Sequence, residues 1–430
     1  MNFESIRRKL FSAVPVFFAV AGILVSCTTS GNVSESGGNS GAGSEPDVRI
    51  MFDSSRILRD EGNTEFSGIG MADLMKEMRT GWNLGNSLDA TGSGLGSETS
   101  WSQPKTTKAM IDGIAAAGFR TIRIPVSWSN HINKKTYNID ERWMARVKEI
   151  VDWAISDGLY VIINSHHDCY HSPSKMPQGS GYYPNAVNYD ESARFLLNVW
   201  TQIGTAFNGS YDEHLIFETM NEPRLRGTNC EWWNDVNSGS YRESAGSLNR
   251  LNQVALDAIR ATGGNNARRF VICPGLRAAA DSVLAKEFRM PQDSEAGRLI
   301  VSVHAYSPYN FAMASPGETE FTQAHKNELA RMFSQLNQKF VQNGYGVIIG
   351  EYGAVNKNNL EDRVEWFKFY LTSSYKQYGI VSCLWDNGAW KPQGNDYNEK
   401  FGYYDRIGQK WFFPEILDAI MDSTDLKETE

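Results

Sequence analysis

Two carboxylates, Glu222 and Glu351, follow apolar strand-like segments and have the residue types and positions expected of a chemical site. Glu222 lies in ETMNEPRL (218–225), directly after LIF, and Glu351 lies in IIGEYG (348–353). A charge at the mouth of a buried strand is costly to desolvate, so it needs a partner. Cleavage of a glycosidic bond uses two carboxyl groups, because one protonates the leaving oxygen while the other attacks or activates water. We therefore expect these two side chains to converge.

The protonation states of the pair should differ. Two neighbouring carboxylates cannot both ionise freely, so their pKa values split apart. Arg123, in RIP (123–125), is the cation that would hold one of them as the anion. We expect the surroundings of Glu222 to keep it protonated at neutral pH.

Eight short apolar segments predict the strands that position these residues. Most are continuously apolar, which is typical of parallel strands buried on both faces. They are GWNLGN from Gly81, TIRIPV from Thr121, YVIINSH from Tyr160, LIFETMNE from Leu215, RFVICPG from Arg269, LIVSVHAY from Leu299, GVIIGEYG from Gly346 and GIVSCLWDNG from Gly379.

Segments with helical spacing lie between the strands. In ERWMARVKEIVDWAISDG (141–158), the apolar residues fall on one face and Gly158 marks the end. This alternation predicts an α/β fold, a (β/α)8 TIM barrel forming a single catalytic domain. An open doubly wound sheet is the rival fold, but no GxGxxG follows the first strand. Strands four and seven would then bring Glu222 and Glu351 together across the barrel.

Nearly every predicted strand ends in polar or aromatic side chains. Active sites of such barrels are built at the carboxyl ends of the strands. The residues there are Asn83, Asn86, Arg123, His166, His167, Asp168, Asn221, Glu222, His304, Tyr306, Glu351, Trp385 and Asp386.

These motifs together resemble a known family. RIP, HHD, NEP, HAY, GEYG and LWDNG occur in the order and on the strands typical of glycoside hydrolase family 5 of clan A. The opening GWNLGNSLDA (81–90) resembles that of its subfamily 4 endoglucanases and xyloglucanases. The resemblance covers residues 70–420.

The resemblance implies a retaining double displacement, with Glu222 as acid/base and Glu351 as nucleophile. Their carboxyl groups should then lie roughly 5 Å apart. It further implies that Asn221 binds the 2-hydroxyl of the sugar, and that Arg123 and Tyr306 orient Glu351. The other pocket residues it implies are His166, His167, His304, Trp385 as the floor of the −1 subsite, and Asn83.

An endo-acting β-1,4-glucanase is the leading prediction for the activity. A xyloglucan-specific enzyme, or one acting on mixed-linkage glucan, xylan or mannan, is the alternative within the family, and the choice depends on the loops 169–185 and 227–240. A non-catalytic glycan-binding lipoprotein is the alternative outside it. Exposed aromatic rings can stack on sugars, and Trp101, Trp128, Trp232, Trp233 and Trp390 are the candidates.

No metal or cofactor is expected. His166, His167 and Asp168 invite a metal interpretation, but successive residues of an extended strand point to opposite faces. The net charge of −8 and pI near 5.5 argue against nucleic acid as a partner. We expect a monomer acting on a polysaccharide.

The first residues predict export and anchoring. A basic stretch at residues 7–9 and a short apolar run form a signal peptide over 1–26, and LVSC (24–27) resembles a lipobox, which implies lipid on Cys27. Residues 27–47 are the anchor cysteine and a Gly/Ser-rich linker. An N-terminal extension (48–69), the catalytic domain (70–422) and a polar tail (423–430) complete the domain plan. The expected location is a bacterial outer membrane, cell surface or periplasmic face.

Four further cysteines remain. Cys273 and Cys383 lie inside apolar strands and should pack as small hydrophobic residues. Cys169 and Cys230 follow strand ends, and an oxidising compartment would permit a disulfide between them.

Overall fold

The computed structural model describes residues 48–232 and 235–425. Cys27, the predicted signal peptide and linker, Trp233 and residues 426–430 therefore lie outside the described residues. Within the described residues, no helix is long and apolar enough to cross a membrane.

Eight parallel strands close into a barrel in chain order, which confirms the predicted (β/α)8 fold. Seven of the eight predicted segments contain one strand each, and the first overlaps β1, which begins one residue earlier at Thr80. The strands are β1 Thr80–Leu84, β2 Thr121–Ile124, β3 Tyr160–Asn164, β4 Leu215–Glu218, β5 Val271–Pro274, β6 Leu299–His304, β7 Gly346–Tyr352 and β8 Val381–Asp386.

Helices surround the barrel and alternate with the strands. They are α1 Met71–Met78, α2 Lys108–Ala116, α3 Glu141–Ser156, α4 Tyr189–Ala206, α5 Gly239–Ala261, α6 Ala280–Leu284, α7 Tyr309–Ala312, α8 Gln323–Lys339, α9 Leu360–Leu371, which continues as a π-helix over Thr372–Lys376, and α10 Pro414–Thr424. The last helix passes the domain boundary predicted at 422, and Thr424 is fully buried.

Residues at both ends of helix α3 determine where it begins and where the chain turns after it. The Asp140 side chain accepts a hydrogen bond from the backbone N–H of Arg142 and so caps the start of the helix. One face buries Trp143, Val147 and other apolar residues against the sheet. Gly158 follows the helix at a φ of +73°, which glycine adopts at little cost, and the chain turns there into β3.

The barrel interior changes from apolar to polar along its axis. Side chains two residues apart on one strand point to the same face. In the apolar part lie Ile162, Ile216, Ile272, Ile300, Ile348 and Val381, closed at the amino end of the strands by Met75 of α1. Two residues further along three of these strands lie Asn164, Glu218 and Ser302, all fully buried. The carboxyl end of the barrel is thus filled by polar groups.

The extension at 48–69 packs on the outside of the barrel. The backbone N–H of Met51 donates to Asn198 Oδ1 on α4 at 2.6 Å. Further along, Asp60 Oδ2 accepts from the backbone N–H groups of Asn208 and Ser210, each at 2.8 Å, in the loop that leads into β4. The extension is therefore part of the folded unit.

A small hairpin after β8 was not predicted. Its strands are β9 Tyr404–Asp405 and β10 Lys410–Trp411. Buried Arg406 donates to the carbonyl oxygens of Gly85 and Asp386, at 2.9 and 2.7 Å. The hairpin thereby fixes the ends of β1 and β8 beside the polar end of the barrel.

Candidate active site

Glu351 lies at an irregularity in β7. The register of β7 shifts against both neighbouring strands in this region. Gly350 precedes it, and a Cβ at that position would lie only 3.1 Å from His304 Nε2. Because this glycine leaves room for the imidazole, the bulged strand presents the Glu351 carboxylate to the pocket. A glycine inside a strand is the sequence signal for such a bulge.

Each oxygen of the Glu351 carboxylate has a donor. Arg123 Nη1 donates to Oε1 at 3.0 Å, and the Tyr306 hydroxyl donates to Oε2 at 2.9 Å. Burial and the adjacent carboxylate raise the pKa of Tyr306 well above its usual range, so the phenol keeps its proton. Glu351 is 5% exposed and held in one orientation.

Arg123 is the centre of the polar layer. Its Nη1 also donates to Asn83 Oδ1 at 2.9 Å, and its Nη2 donates to Asn221 Oδ1 at 2.5 Å. The Asn83 amide nitrogen donates in turn to the carbonyl oxygen of Gly350 at 2.9 Å. Asn83 is therefore a support beneath the bulge of β7.

Glu218 is a buried acid that the sequence analysis did not select. Its Oε2 accepts from Arg123 Nε and Asn164 Nδ2, both at 2.9 Å, and its Oε1 accepts from the Ser302 hydroxyl at 2.7 Å. The acidic residue at the end of the apolar LIFE segment was the available signal. Glu218 balances the charge of Arg123 from below while Glu351 contacts it from the pocket.

The NEP segment lies beyond β4 and is bonded to both neighbouring strands. The backbone N–H of Asn221 donates to the carbonyl oxygen of Ser165 at 3.0 Å, and that of Thr219 donates to Ile272 at 2.9 Å. These bonds fix Glu222 opposite Glu351. Oxygen atoms of the two carboxylates and a His304 nitrogen all lie within 4.8 Å of one another.

Glu222 contacts an imidazole and a guanidinium, His304, which was predicted as a pocket residue, and Arg224, which was not. His304 Nδ1 lies 2.9 Å from Glu222 Oε1, and Arg224 Nη1 donates to Oε2 at 2.9 Å. Burial alone raises the pKa of Glu222, but the hydrogen bond and charge of His304 and the charge of Arg224 outweigh it and lower the pKa to about 2. The expectation that Glu222 is protonated at neutral pH is therefore wrong.

The pKa of His304 shifts in the opposite direction to that of Glu222. Burial lowers its pKa, but the nearby charges of Glu351 and Glu222 and the bond to Glu222 prevail and raise it. The other ring nitrogen, Nε2, lies 3.4 Å from Arg123 Nη2. Because an ionised carboxylate oxygen only accepts hydrogen bonds, His304 Nδ1 carries a proton and donates it to Glu222 Oε1.

His166 and His167 follow β3 rather than lying inside it. Their rings contact each other edge to face with centroids 4.4 Å apart, so the expectation that they point to opposite sides is wrong. Ring nitrogens of both lie within 4.8 Å of a carboxylate oxygen of Asp89. These three residues have the donor types of a transition-metal site.

The hydrogen bonds of Asn164 disfavour a metal there. Its Oδ1 accepts from the backbone N–H of Val126 at 3.1 Å, so its Nδ2 is the group that faces His166 Nδ1, also at 3.1 Å. Nδ1 of His166 is then an acceptor, and Nε2 carries the proton. Nε2 points toward Glu351 Oε1 at 3.9 Å and is a donor for a ligand rather than a metal-binding atom.

The aromatic residues predicted to bind sugar differ in their exposure to solvent. Trp385 lies parallel to His166, with ring centroids 5.9 Å apart and an interplanar angle of 2°. Trp101, Trp232 and Trp390 are 37%, 42% and 38% exposed. Trp128 is fully buried and donates to the carbonyl oxygen of Asn164 at 2.8 Å, so its prediction as a sugar platform is wrong.

The cysteines near the site are free thiols. Cys169 Sγ lies 3.3 Å from the carbonyl oxygen of Arg224, whereas Cys230 Sγ contacts the side chain of Asn229. Neither forms the disulfide that the sequence permitted.

Two opposed carboxylates at the carboxyl end of a (β/α)8 barrel define the class of the protein as a glycoside hydrolase. The family model described as "Cellulase (glycosyl hydrolase family 5)" matches residues 88–391. The chain is 41% identical to Endoglucanase 1 of Ruminococcus albus over 81% of its own length and 80% of that protein. The chain belongs to glycosyl hydrolase family 5.

Solved structures of the family superpose closely. A family 5 lichenase from Caldicellulosiruptor sp. F32 is 41% identical, with a TM-score of 0.77 over 86% of this chain and 100% of that one. A GH5-4 broad specificity endoglucanase from Ruminococcus champanellensis with bound cellotriose is 40% identical, with a TM-score of 0.75 over 83% of this chain and 100% of that one.

Proposed function

We propose that the protein is an endo-acting β-1,4-glucanase that retains anomeric configuration. The observation that carries the mechanism is the approach of the Glu222 and Glu351 oxygens to within 4.8 Å. Inverting enzymes need roughly 6.5–9.5 Å between their carboxyl groups to admit a water, whereas a direct nucleophile needs the shorter gap. The similarity to named endoglucanases supports the substrate class.

Glu351 is the nucleophile. Arg123 and Tyr306 each donate to one carboxylate oxygen and hold it toward the anomeric carbon. Attack forms a glycosyl ester on Glu351, and the bond to the leaving oxygen breaks. Preorganised donors of this kind need no rearrangement as charge moves in the transition state.

Glu222 is the acid/base. It must hold a proton when the leaving oxygen departs, and the His304 proton lies across a contact of 2.9 Å. Transfer of that proton to Glu222 on substrate binding makes it the general acid. Glu222 then takes a proton from the water that cleaves the ester, which restores the pocket.

The remaining polar groups contact the sugar. Because Asn221 Oδ1 is bonded to Arg123, its Nδ2 is the atom that faces the ligand and suits the 2-hydroxyl. His166 offers its Nε2–H beside Glu351, and Trp385 supplies the flat floor of the −1 subsite. His167, whose pKa is lowered to about 4 chiefly by burial, is neutral and lies against Trp101 at a ring distance of 5.3 Å.

The preferred polymer is an unbranched β-1,4-glucan, and mixed-linkage β-glucan is the second candidate. The second rests on the similarity to the Caldicellulosiruptor lichenase. Exposed Trp101 lies next to His167 and exposed Trp232 lies next to Arg224, and both rings can stack on sugars of a chain that crosses the pocket.

Release of reducing sugars by the purified full-length chain tests the activity. The panel consists of carboxymethylcellulose, mixed-linkage β-glucan, xyloglucan, xylan and glucomannan in one buffer with detergent. We expect the two unbranched glucans to be cleaved fastest, with an early fall in viscosity that marks internal cleavage. Activity on xylan alone, or on no polymer, would overturn the proposal.

We further propose that the protein is an exported monomeric lipoprotein anchored through Cys27. The support is the basic and apolar leader followed by LVSC. Growth with an alkyne fatty acid should label the wild-type chain and leave Cys27→Ser unlabelled and in the soluble fraction. Equal labelling of both would contradict the anchor.

A further inference from the structure

Arg224 joins Glu222 to an outer pair of residues on the same loop. Its Nη1 donates to Glu222 Oε2 at 2.9 Å, and its Nε donates to Glu231 Oε1 at 3.2 Å. The guanidinium lies 4.2 Å from the centre of the Trp232 ring. Two carboxylates and an aromatic face thus fix one cation against the acid/base.

The mechanism described above uses Arg123 and leaves Arg224 without a task. A permanent cation on the acid/base works against the first step, because that step needs Glu222 protonated. It favours the state in which the second step begins, because Glu222 must then be ionised before it can accept a proton from water. A residue that serves in both steps needs an intermediate proton affinity, and a charge of fixed position can set it.

We propose that Arg224 is a positioning residue that sets the proton affinity of Glu222 for the second step, and that Glu231 and Trp232 hold it at the required distance. This inference rests on the proposed function of Glu222. Other charged or titratable groups lie near Glu222 as well: His304 on β6, Glu351 on β7, His167 after β3, Tyr182 and Tyr306. Of the two described side chains bonded to the Glu222 carboxylate, His304 and Arg224, it is Arg224 that belongs to the loop of Glu222 itself.

The Arg224 side chain is buried enough for its charge to act on Glu222. Arg224 is 12% exposed and Glu222 is 17% exposed, so water screens their attraction only weakly. Glu231 is 25% exposed at the outer end. Neutralising Glu231 leaves the whole charge of Arg224 directed at Glu222, which gives the proposal a second test with the opposite sign.

The pH profile of kcat/KM for cellotetraose, whose leaving group needs protonation, is the first measurement. Its basic limb reports loss of the proton that Glu222 shares with His304. We expect Arg224→Gln to move that limb upward by about one pH unit or more, Arg224→Lys to restore it in part, and Glu231→Gln to move it downward. Arg226→Gln is the matched control, because Arg226 lies on this loop and shares Glu231 with Arg224 at 3.9 Å, but its hydrogen bond goes to the carbonyl oxygen of Cys169 and not to Glu222.

The second measurement uses 2,4-dinitrophenyl β-cellobioside, for which hydrolysis of the glycosyl ester limits the rate. Because a smaller fraction of Glu222 is ionised in Arg224→Gln at pH values near the shifted limb, kcat and KM should fall together there and kcat/KM should stay nearly unchanged. An unmoved basic limb in Arg224→Gln and Glu231→Gln would overturn the proposal. A wild-type chain inactive on every glucan would instead refute the proposed function. If Arg224→Gln does not fold, the direction of the shift in Glu231→Gln decides.

Discussion

Glu218 takes no part in bond cleavage, yet it is the fully buried partner of Arg123. The Arg123 guanidinium is also fully buried, and it holds Asn83, Asn221 and Glu351 at the same time. A buried ion pair costs solvation, and removal of one member leaves an uncompensated charge. The geometry of the nucleophile on β7 therefore depends on an acid on β4, through Arg123 on β2.

Glu218→Gln should lower both stability and rate. The free energy of unfolding should fall by about 3 kcal/mol, as for the loss of one member of a buried pair, measured by urea denaturation. Glu149→Gln is the control, because its contact with Arg146 is half exposed and worth less than about 1 kcal/mol. Equal losses in the two variants would show that Glu218 does not balance Arg123.

The activities of Glu222→Ala and Glu351→Gln should depend differently on the leaving group of the substrate. Without its general acid the enzyme should lose roughly 10²–10⁴-fold on cellotetraose, and far less on 2,4-dinitrophenyl β-cellobioside, because that phenol departs without a proton. Without its nucleophile it should lose about 10⁴-fold or more on both substrates. Steady-state rates on the two substrates decide, and a uniform loss in Glu222→Ala would contradict its role.

At the scale of elements, the sequence predicts the strands and their polar ends well because period and composition are local properties. Glu222 and Glu351 were found because strands four and seven of a barrel must face each other. The sequence did not indicate Arg224, because its contact with Glu222, two residues earlier, depends on the path of the loop. The protonation state of Glu222 also depends on a tertiary contact, since His304 lies on another strand, and the sequence alone does not show that contact.

The extension at 48–69 shows a second limit. Its polar residues give no period, and only tertiary contacts reveal that Asp60 accepts two backbone N–H groups before β4. Hydrogen bonds from Ser210, Asn208 and Gly62 lower the pKa of Asp60 although burial opposes them. This site lies in a loop that enters a strand, at the end of the barrel opposite the active site.

Asp60→Ala should reduce stability without changing catalysis. We expect a loss of about 1–2 kcal/mol, the scale of exposed backbone bonds to a charged acceptor, and an unchanged kcat. Glu61→Ala is the control, because Glu61 is an exposed neighbour with the same charge. Thermal unfolding of both variants checks the stability, and a fall in kcat for Asp60→Ala would show that the extension also supports the active site.

At the scale of the whole molecule, buried titratable groups oppose each other in their effect on acid stability. Burial lowers the pKa values of His131, His166 and His167, so these residues stay neutral when folded and take up protons on unfolding. Burial raises the pKa of Asp89 to about 7, which has the reverse effect between its unfolded value and pH 7. The stability curve in mildly acidic solution is therefore flatter than either set alone would produce.

Replacing one of these histidines should change how the free energy of unfolding depends on pH. His131 lies outside the active site, stacked on Trp143 with ring centroids 3.7 Å apart, and burial lowers its pKa from 6.5 to about 4. Between these two values the unfolded chain binds a proton that the folded chain does not, so each fall in pH destabilises the fold. At pH 5 this linkage costs about 2 kcal/mol.

His131→Phe keeps a flat ring against Trp143 and removes the titration. Relative to its own stability at pH 7.5, the variant should be about 2 kcal/mol more stable at pH 5 than the wild type is. Urea denaturation at the two pH values measures this difference, with His171→Phe as the control because His171 is exposed. A pH dependence identical to that of the wild type would mean that His131 already binds its proton in the folded chain, and the acid sensitivity would then have to arise from the histidines of the active site.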